Sequence, residues 1–448
     1  MKHYQEMQHA FELFLEDGEA NELHASEIAY LVRKLRKKDP EAFLETLDKI
    51  PKDILGDVLL ELPEGAKDAA IEYLSSHDLA EAIDELESDD ATDLVQDIED
   101  VDEAKSVEVF EKLDEDDQED IDKLRRYEED QAGAWMQTEL FDAVMDETIQ
   151  SSVDRLRQLK LEGELENIHQ VFIINDHHRL IATLALEDLI IYDFSKTYRD
   201  ILETKEFRAI EATEDIEVVA KMFEQFDLAV LPVLDWQGKL VGRITSDDIY
   251  DVIEERATEQ IYNLAGVDDD AEQEDDLLGV FKKRSLWLFL NLITAVLASL
   301  VIAMFDDTLA AFIPLAILMP IVASMGGNAG TQSLTVMVRR LALGDIDSEN
   351  ARHAVSKEII VSIFNGLLFA VIMGVVTYFW FSNTTLGFVI AAAMVINLFI
   401  AGSFGAGIPL VLKRLNIDPA VGSTVLLTTA TDVFGFLSFL GLAKIFLI

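Results

Sequence analysis

The 448-residue chain has no cysteine, only eight prolines, and fewer than half as many basic residues (36 Lys and Arg) as acidic ones (85 Asp and Glu). The absence of cysteine excludes disulfides, thiolate metal sites and cysteine nucleophiles. The shortage of positive charge argues against a nucleic-acid partner and points to cations. The first twenty residues lack the continuous apolar core of a secretory signal, so we expect the N-terminus to stay in the cytoplasm.

The excess of negative over positive charge lies in one part of the chain. The last 168 residues hold 10 Lys and Arg against 8 Asp and Glu, so the first 280 hold 26 against 77. Only the last part contains apolar stretches of the roughly 20 residues that a transmembrane helix needs. We therefore predict an acidic soluble body and, over residues 281–448, a transmembrane domain with five spans. These spans are Leu286–Met304, Leu309–Val338, Ile359–Phe381, Leu386–Leu412 and Pro419–Ile448.

Basic residues lie in alternate loops between the predicted spans, and this pattern predicts the orientation in the membrane. Nine of the ten Lys and Arg fall on the side of the first 280 residues, whereas Lys444 is alone on the other side. We expect a multi-pass protein of the plasma membrane with a cytoplasmic N-terminal body and an extracytoplasmic C-terminus.

One carboxylate, Asp432, lies deep in the last span, at the twelfth position of the apolar run Val421–Leu440. A charge at that depth costs at least about 2.5 kcal/mol, and no basic residue occurs at a similar depth in another span. Two interpretations stay open: a cation or proton pathway, or a protonated Asp432 that hydrogen-bonds a neighbouring helix. We favour the pathway.

Neutral polar residues and glycines of other spans complete the predicted pathway. The second span contributes the expected pore-lining residues Gly327, Asn328, Gly330 and Gln332, and the fourth contributes Asn397. Close packing of small residues between helices is the alternative explanation of these glycines. One carboxylate among neutral oxygens suits Mg²⁺, which keeps several of its waters when bound.

Residues 131–255 contain an internal repeat of about 60 residues. The apolar strands Val171–Ile174 and Val230–Leu234 are each followed by a turn, a second strand and an acidic helix start. This pattern resembles tandem CBS domains, a regulatory α/β module, over residues 131–200 and 201–255. Residues 1–130 instead predict a superhelix of short, acidic, amphipathic helices.

Acidic residues are grouped on two predicted helices. Asp89 and Asp93 share a face at one helix start, after a predicted cap at Ser88. A second group recurs every three or four residues on a connecting, plug-like helix within residues 248–280: Asp248, Asp251, Glu255 and Glu259. A solvated face is the simpler explanation for any single carboxylate, but repulsion within the second group favours cation binding.

The order of these parts resembles the MgtE family of magnesium transporters. The sharpest likeness lies in Met325-Gly-Gly-Asn-Ala-Gly-Thr-Gln332 and in Thr428-Thr-Ala-Thr-Asp432. The resemblance implies a homodimeric Mg²⁺ channel in the lipid bilayer, with Asp432 in its pore and Mg²⁺ as both transported and regulatory ion. The regulatory ligands it implies are Asp89, Asp93, Glu217, Asp227, Asp248, Asp251 and Glu259. Because CBS repeats can bind adenine nucleotides, ATP is a further expected ligand, with Asp188 as a candidate ribose ligand.

The resulting hypothesis is a channel that imports Mg²⁺ and closes when cytosolic Mg²⁺ bridges its acidic domains. A proton-coupled carrier of Mn²⁺, Co²⁺ or Mg²⁺ with CBS regulation is the main alternative. A CBS-regulated anion channel is opposed by Asp432. A membrane-anchored enzyme is opposed by the lack of a phosphate-binding loop and of histidines at metal-ligand spacing, so no catalytic residues are predicted.

Overall fold

The structure, a computed structural model, describes residues 23–163, 165, 167–202, 207–267, 277–346 and 350–448, and positions 7, 10, 11, 13 and 14 near the N-terminus. Parts of the predicted N-terminal domain, of the second repeat and of the segment after the connecting helix therefore lie outside the described residues. The chain divides into two compact units, Met1–Glu255 and Arg256–Ile448.

Short helices fill the described part of the chain before residue 125, as the acidic amphipathic pattern predicts. They are α1 (Ala25–Lys38), α2 (Pro40–Leu47), α3 (Lys52–Leu60), α4 (Glu64–Tyr73), α5 (Ser76–Ile83), α6 (Ser88–Val101), α7 (Glu103–Phe110) and α8 (Glu115–Leu124). Side-chain caps mark several boundaries: Asp39 Oδ1 accepts from Ala42 N at 3.1 Å at the start of α2. Isolated helices of this length are only marginally stable in water, so their stability depends on the shared hydrophobic core, which includes Ile28, Leu55 and Leu94.

Two three-stranded sheets follow, one in each predicted repeat. The first contains β1 (Asp142–Val144), β2 (Gln170–Ile174) and β3 (Leu180–Ala185), with α9 (Ile149–Glu162) between β1 and β2; a 3₁₀ helix (Leu186–Ile191) and α10 (Tyr198–Ile201) follow. The second contains β4 (Ile210–Glu211), β5 (Val230–Leu234) and β6 (Leu240–Thr245), with α11 (Ile216–Phe226) between β4 and β5; α12 (Ser246–Ala265) follows. In each sheet the first pair of strands is parallel and the second antiparallel. The α/β repeat pair is confirmed.

The hairpin turns of the two repeats are built alike. Asn175 Oδ1 accepts from the backbone amides of His177 at 2.9 Å and Arg179 at 3.1 Å. Asp235 Oδ1 accepts from the corresponding amides two and four residues later, both at 2.8 Å. These side-chain turns explain why Asn and Asp stand at the end of each apolar strand.

The second unit is helical over its described residues. Its helices are α13 (Leu277–Ala303), α14 (Asp306–Ala311), α15 (Pro314–Ala342), α16 (Ala351–Phe381), α17 (Thr384–Arg414) and α18 (Ser423–Phe446). Within the described residues, four helices are long and apolar enough to cross a membrane: Val280–Ala303 in α13, and α16, α17 and α18. The prediction of a domain with several apolar helices is confirmed.

The predicted second span differs from its expected form. Leu309 belongs to the short α14, and the long helix α15 begins only at Pro314, a residue suited to a first helical turn. α15 is also absent from the four helices above, because glycines and amide side chains at its centre lower its mean hydropathy. Close glycine contacts join it to its neighbours: a Cβ on Gly405 of α17 would lie 2.6 Å from the Gly330 carbonyl oxygen.

Candidate metal centre and ion pathway

Helix α6 brings several carboxylates into its first turns. Asp89 is buried, with 7% of its surface exposed, whereas Asp93 one turn later is exposed. The cap predicted at Ser88 is wrong, since Glu87 is the N-cap residue. The Ser88 hydroxyl and amide instead donate to the two carboxylate oxygens of Glu139, each at 3.1 Å. This contact fixes the start of α6 against the segment before the first sheet.

Asp248, in the first turn of α12, lies in the same group of side chains. Its Oδ2 accepts from the Thr245 hydroxyl at 2.7 Å and from Gln137 Nε2 at 3.4 Å. The same Gln137 Nε2 donates to Glu87 Oε2 at 2.8 Å. One amide therefore joins the N-cap of α6 to the start of α12. Glu87, Asp89, Asp90 and Asp248 are called the carboxylate cluster below.

The carboxylate cluster has more negative charge than its surroundings balance. Burial raises the pKa of Glu87 to about 7 although Arg243, 3.6 Å away, opposes the shift. Burial and the charge of Asp248 raise the pKa of Asp90 to about 7 and that of Asp89 well above its usual range. The pKa of Asp248 itself rises to about 6, mainly through burial. Buried charges of one sign are costly unless a counter-charge joins them, which a divalent cation would provide.

The fit of a metal ion to this cluster is partial. Among the described residues, no three acidic or histidine side chains are already arranged as ligands of one ion. Carboxylates are nevertheless the ligand type that Mg²⁺ prefers, and Mg²⁺ commonly keeps several waters. A hydrated ion bridged to these carboxylates fits the donor set better than a dehydrated ion held by direct bonds.

The remaining carboxylates of the predicted α12 stripe are less enclosed. Asp251 and Glu255 are exposed, and Glu259 accepts from Asn263 Nδ2 at 3.3 Å. Burial and the charges of Glu254 and Asp247 raise the pKa of Asp251. All of them lie on one continuous helix with Asp248, as the spacing predicts.

Glu217 and Asp227 lie at opposite ends of α11. Ten residues of helix separate them by about 15 Å. Glu217 pairs with Lys221 at 3.2 Å, and Asp227 is an exposed C-cap residue with a φ of 50°. Within one chain these two carboxylates do not share an ion. Asp188 lies half-buried in the first turn of the 3₁₀ helix, and its assignment to a nucleotide stays a prediction.

Sequence reasoning missed several members of the soluble site. Glu87, Asp90, Gln137 and Glu139 join it through contacts that span 50 or more residues. The only local signal was the run Glu87-Ser-Asp-Asp90, in which three of four residues are acidic. The buried Arg243, 1% exposed, had no signal beyond being a charge inside an apolar strand.

In the membrane unit, Asp432 is the tenth residue of α18 and is half-buried. Of the predicted pore-lining residues, Asn328 and Gln332 are exposed on α15, and a Cβ on Gly327 would meet open space. Gly330 is different, because a Cβ there would lie 2.8 Å from Leu427 of α18. The pore-lining assignments stay predictions.

Asn397 occupies the junction of three helices. This residue of α17 is fully buried, and its Nδ2 donates to the Val322 carbonyl of α15 at 2.7 Å. A Cβ on Gly326 of α15 would overlap its amide, and one on Gly435 of α18 would come within 3.0 Å of it. Within the described part of the chain, the Asn397 Oδ1 atom has no hydrogen-bond partner.

Glu358 is a second acidic residue inside a long helix of this unit. It is the eighth residue of α16, is half-buried, and accepts from the Ser333 hydroxyl of α15 at 2.8 Å. The hydropathy pattern missed it because the apolar run starts one residue later, at Ile359. Asp432 is therefore not the sole carboxylate within the described helices of the membrane unit.

Comparisons with known proteins give the family. Three family models match: MgtE intracellular N domain over residues 23–130, CBS domain over 199–255, and MgtE, a divalent cation transporter, over 319–442. "Magnesium transporter MgtE" of Thermus thermophilus is 33% identical over 330 residues, covering 73% of this chain and 72% of that protein. The protein of the same name in Bacillus subtilis is 31% identical over the same shares of the two chains.

Two solved structures align with the soluble part. The soluble part of a magnesium transporter is 24% identical with a TM-score of 0.50, covering 57% of this chain and 99% of that one, which supports the fold. The cytosolic domain of the Mg²⁺ channel MgtE in complex with ATP is 28% identical with a TM-score of 0.49, covering 56% and 99%. The matching family consists of transporters and not enzymes, and with the apolar helices it locates the chain in a membrane. This chain is a member of the MgtE family of divalent cation transporters.

Proposed function

We propose that this protein imports Mg²⁺ across the plasma membrane along a pathway lined by Asp432, and that cytosolic Mg²⁺ closes it. Family membership supports the transported ion, since the named relatives are magnesium transporters. The observation that carries the regulation is the carboxylate cluster, where Asp248 of α12 meets the start of α6 with too little positive charge nearby.

Helix α12 offers a route from this cluster to the membrane helices. Asp248 lies in its first turn, and its last turn packs in the second unit, where the Leu264 carbonyl accepts from the Thr424 hydroxyl of α18 at 2.6 Å. Leu264 also packs against Leu334 and Leu427. The proposed mechanism is that Mg²⁺ binding at the first turn of α12 acts on α18 through this helix.

The energetic requirement of such gating is moderate. Moving a two-state equilibrium from 1:99 to 99:1 takes about 5.5 kcal/mol of differential binding. One pair of like charges about 4 Å apart is worth about 4 kcal/mol at an effective dielectric of 20. Relief of a few repulsions in the carboxylate cluster is enough, provided that Mg²⁺ binds the closed form better than the open one.

The polar face of α15 supports a wet pathway. Ser324, Asn328, Thr331 and Thr335 recur at steps of four, three and four residues, and all are exposed on this unit. Their hydroxyls and amide bond partly within α15, as Thr331 does to the Gly327 carbonyl at 3.0 Å, but the remaining polar surface suits water or a second subunit better than lipid. We therefore include a homodimer in the proposal, with a cytoplasmic N-terminus and an extracytoplasmic C-terminus. ATP binding at the CBS repeats, with Asp188 at the ribose, rests on the sequence resemblance alone.

The test is Mg²⁺ uptake by vesicles containing the full-length protein, with internal Mg²⁺ varied. Asp432→Asn should abolish uptake, and normal uptake by this variant would refute the pathway. Replacing Asp89, Asp93 and Asp248 by Asn should leave uptake that no longer falls as internal Mg²⁺ rises; unchanged inhibition would refute the sensor. A proton-coupled carrier would instead show uptake driven by an imposed pH gradient and proton movement in step with Mg²⁺.

A further inference from the structure

We propose that Asn397 is the positioning residue of the ion pathway: its side-chain amide holds α15 against α18 within one helical turn of Asp432. This inference rests on the proposed transport function and assigns to Asn397 the placement of the pathway helices. Asn397 itself does not bind the ion.

The amide of Asn397 is energetically costly at its position. Asn397 is fully buried in an apolar membrane helix, and among the described residues its Oδ1 has no hydrogen-bond partner. A buried acceptor without a partner is destabilising, whereas leucine of similar volume carries no such penalty. The hydrogen bond that the other end of the amide donates to the Val322 carbonyl offsets only part of that penalty. Stability alone therefore does not explain an amide here.

Two glycines of neighbouring helices form the socket that receives the Asn397 amide. Gly326 of α15 and Gly435 of α18 both abut it, and a Cβ on either glycine would press on the amide. Both α15 and α18 therefore have a glycine where α17 places the side chain of Asn397 between them. The amide therefore fills the space between Gly326 of α15 and Gly435 of α18 and helps to set the distance between these helices.

This socket lies beside the polar residues of the proposed pathway. Asp432 precedes Gly435 by three residues, so the two lie on the same side of α18, about 4.5 Å apart along its axis. Gly326 opens the segment that also contains Asn328 and Gln332 on α15. A shift of the amide therefore moves the carboxylate relative to the neutral oxygens of α15.

The experiment compares Asn397→Leu with Thr377→Val in full-length protein reconstituted in vesicles, with Asp432→Asn as the blank. Thr377 is a matched control because it is also fully buried in a membrane helix and its hydroxyl also lacks a hydrogen-bond partner among the residues that the structure describes. Uptake is measured over a range of Mg²⁺ concentrations and in competition with Ca²⁺. We expect Asn397→Leu to raise the half-saturating Mg²⁺ concentration about tenfold, the scale for removing a group that orients a metal ligand. We also expect weaker discrimination against Ca²⁺, while Thr377→Val behaves as wild type.

Two further variants separate positioning from packing. Asn397→Ala combined with Gly326→Ala refills the socket without an amide, and we expect it to keep the raised half-saturation. Gly435→Ala presses on the amide from the other side and keeps the test open if Asn397→Leu does not fold; its half-saturation should rise by a smaller factor. Wild-type half-saturation and selectivity in Asn397→Leu, or in the double variant, would overturn the inference, as would a fall in maximal uptake alone. Wild-type vesicles no better than the Asp432→Asn blank would instead refute the proposed function.

Discussion

Replacement of Asp248 by asparagine should stabilise the soluble unit in the absence of Mg²⁺ and weaken its response to Mg²⁺. Burial, with the charges of Asp247 and Asp251, raises the pKa of Asp248 to about 6 against the opposing hydrogen bond from Thr245. Because the folded-state pKa lies above the unfolded one, ionisation disfavours the folded state as the pH rises from about 4 to about 6. The whole cost is present at pH 7.

The magnitude follows from the size of this shift. About two pKa units correspond to about 3 kcal/mol, and partial solvent access reduces that to about 1–2 kcal/mol. Asparagine removes the charge of Asp248 and keeps an oxygen that accepts from Thr245. We therefore expect the free energy of unfolding of Asp248→Asn at pH 7, with a chelator present, to exceed that of the wild type by about 1–2 kcal/mol.

Mg²⁺ should reverse this order of stability. A ligand at a hundredfold excess over its Kd stabilises the folded state by about 2.7 kcal/mol. The wild type gains this amount when Mg²⁺ occupies the carboxylate cluster, whereas the variant has lost one of the ligands and gains less. At high Mg²⁺ the wild type therefore becomes at least as stable as Asp248→Asn.

The assay is urea unfolding of full-length protein in detergent, followed by limited proteolysis of the soluble unit, with chelator and with excess Mg²⁺. Asp53→Asn is a suitable control because this carboxylate is exposed in the first turn of α3. Its stability should respond to Mg²⁺ as that of the wild type does. An Asp248→Asn variant that is less stable than wild type in chelator, or equally stabilised by Mg²⁺, would refute the reasoning.

Three further predictions concern packing and charge. Arg243→Leu leaves Glu87 without its buried counter-charge and should destabilise the soluble unit by about 3–5 kcal/mol in urea unfolding; a loss below about 1 kcal/mol would contradict the pairing. Burial and neighbouring carboxylates raise the pKa of Asp117 to about 6, so its ionised form destabilises the folded state at high pH. Asp117→Asn should therefore raise the free energy of unfolding by about 1 kcal/mol at pH 8 and by less at pH 4.5, and an equal increase at both pH values would contradict the raised pKa. Gly405→Ala places a Cβ against the Gly330 carbonyl and should lower the melting temperature of the membrane unit in detergent. An unchanged melting temperature would show that this contact is not tight.

The sequence predicts those parts of the site that depend on local periodicity. Asp248, Asp251, Glu255 and Glu259 lie on one helix because three- and four-residue spacing defines a helical face. The convergence of Glu87, Gln137 and Asp248 could not be read in this way, since their contacts span 50 and 111 residues.

In the membrane unit, too, the sequence predicts local features but not the contacts between helices. The hydropathy pattern predicts five spans, four of which correspond to described helices long and apolar enough to cross a membrane. It places the start of α16 at Ile359, whereas the helix begins at Ala351 and includes Glu358. An apolar run marks the lipid-facing length, and a helix continues beyond it as long as its residues tolerate helical backbone. The socket of Asn397 depends on which glycines meet across three helices, and a single sequence carries no signal for that pairing.

Four of the predicted regulatory residues form two pairs with different physical requirements. Asp89 and Asp248 lie in the carboxylate cluster of one chain, so in the proposed mechanism Mg²⁺ bridges them at any protein concentration. Glu217 and Asp227 are about 15 Å apart along α11, so an ion bound by either needs its other ligands from elsewhere. In the proposed homodimer a second chain is the available source. Removal of Asp227 should therefore weaken Mg²⁺-dependent association of two chains, whereas removal of Asp89 should weaken Mg²⁺ binding within each. Light scattering and Mg²⁺-dependent protease protection, measured on both variants, separate these effects, and identical behaviour of the two variants would show that the division is wrong.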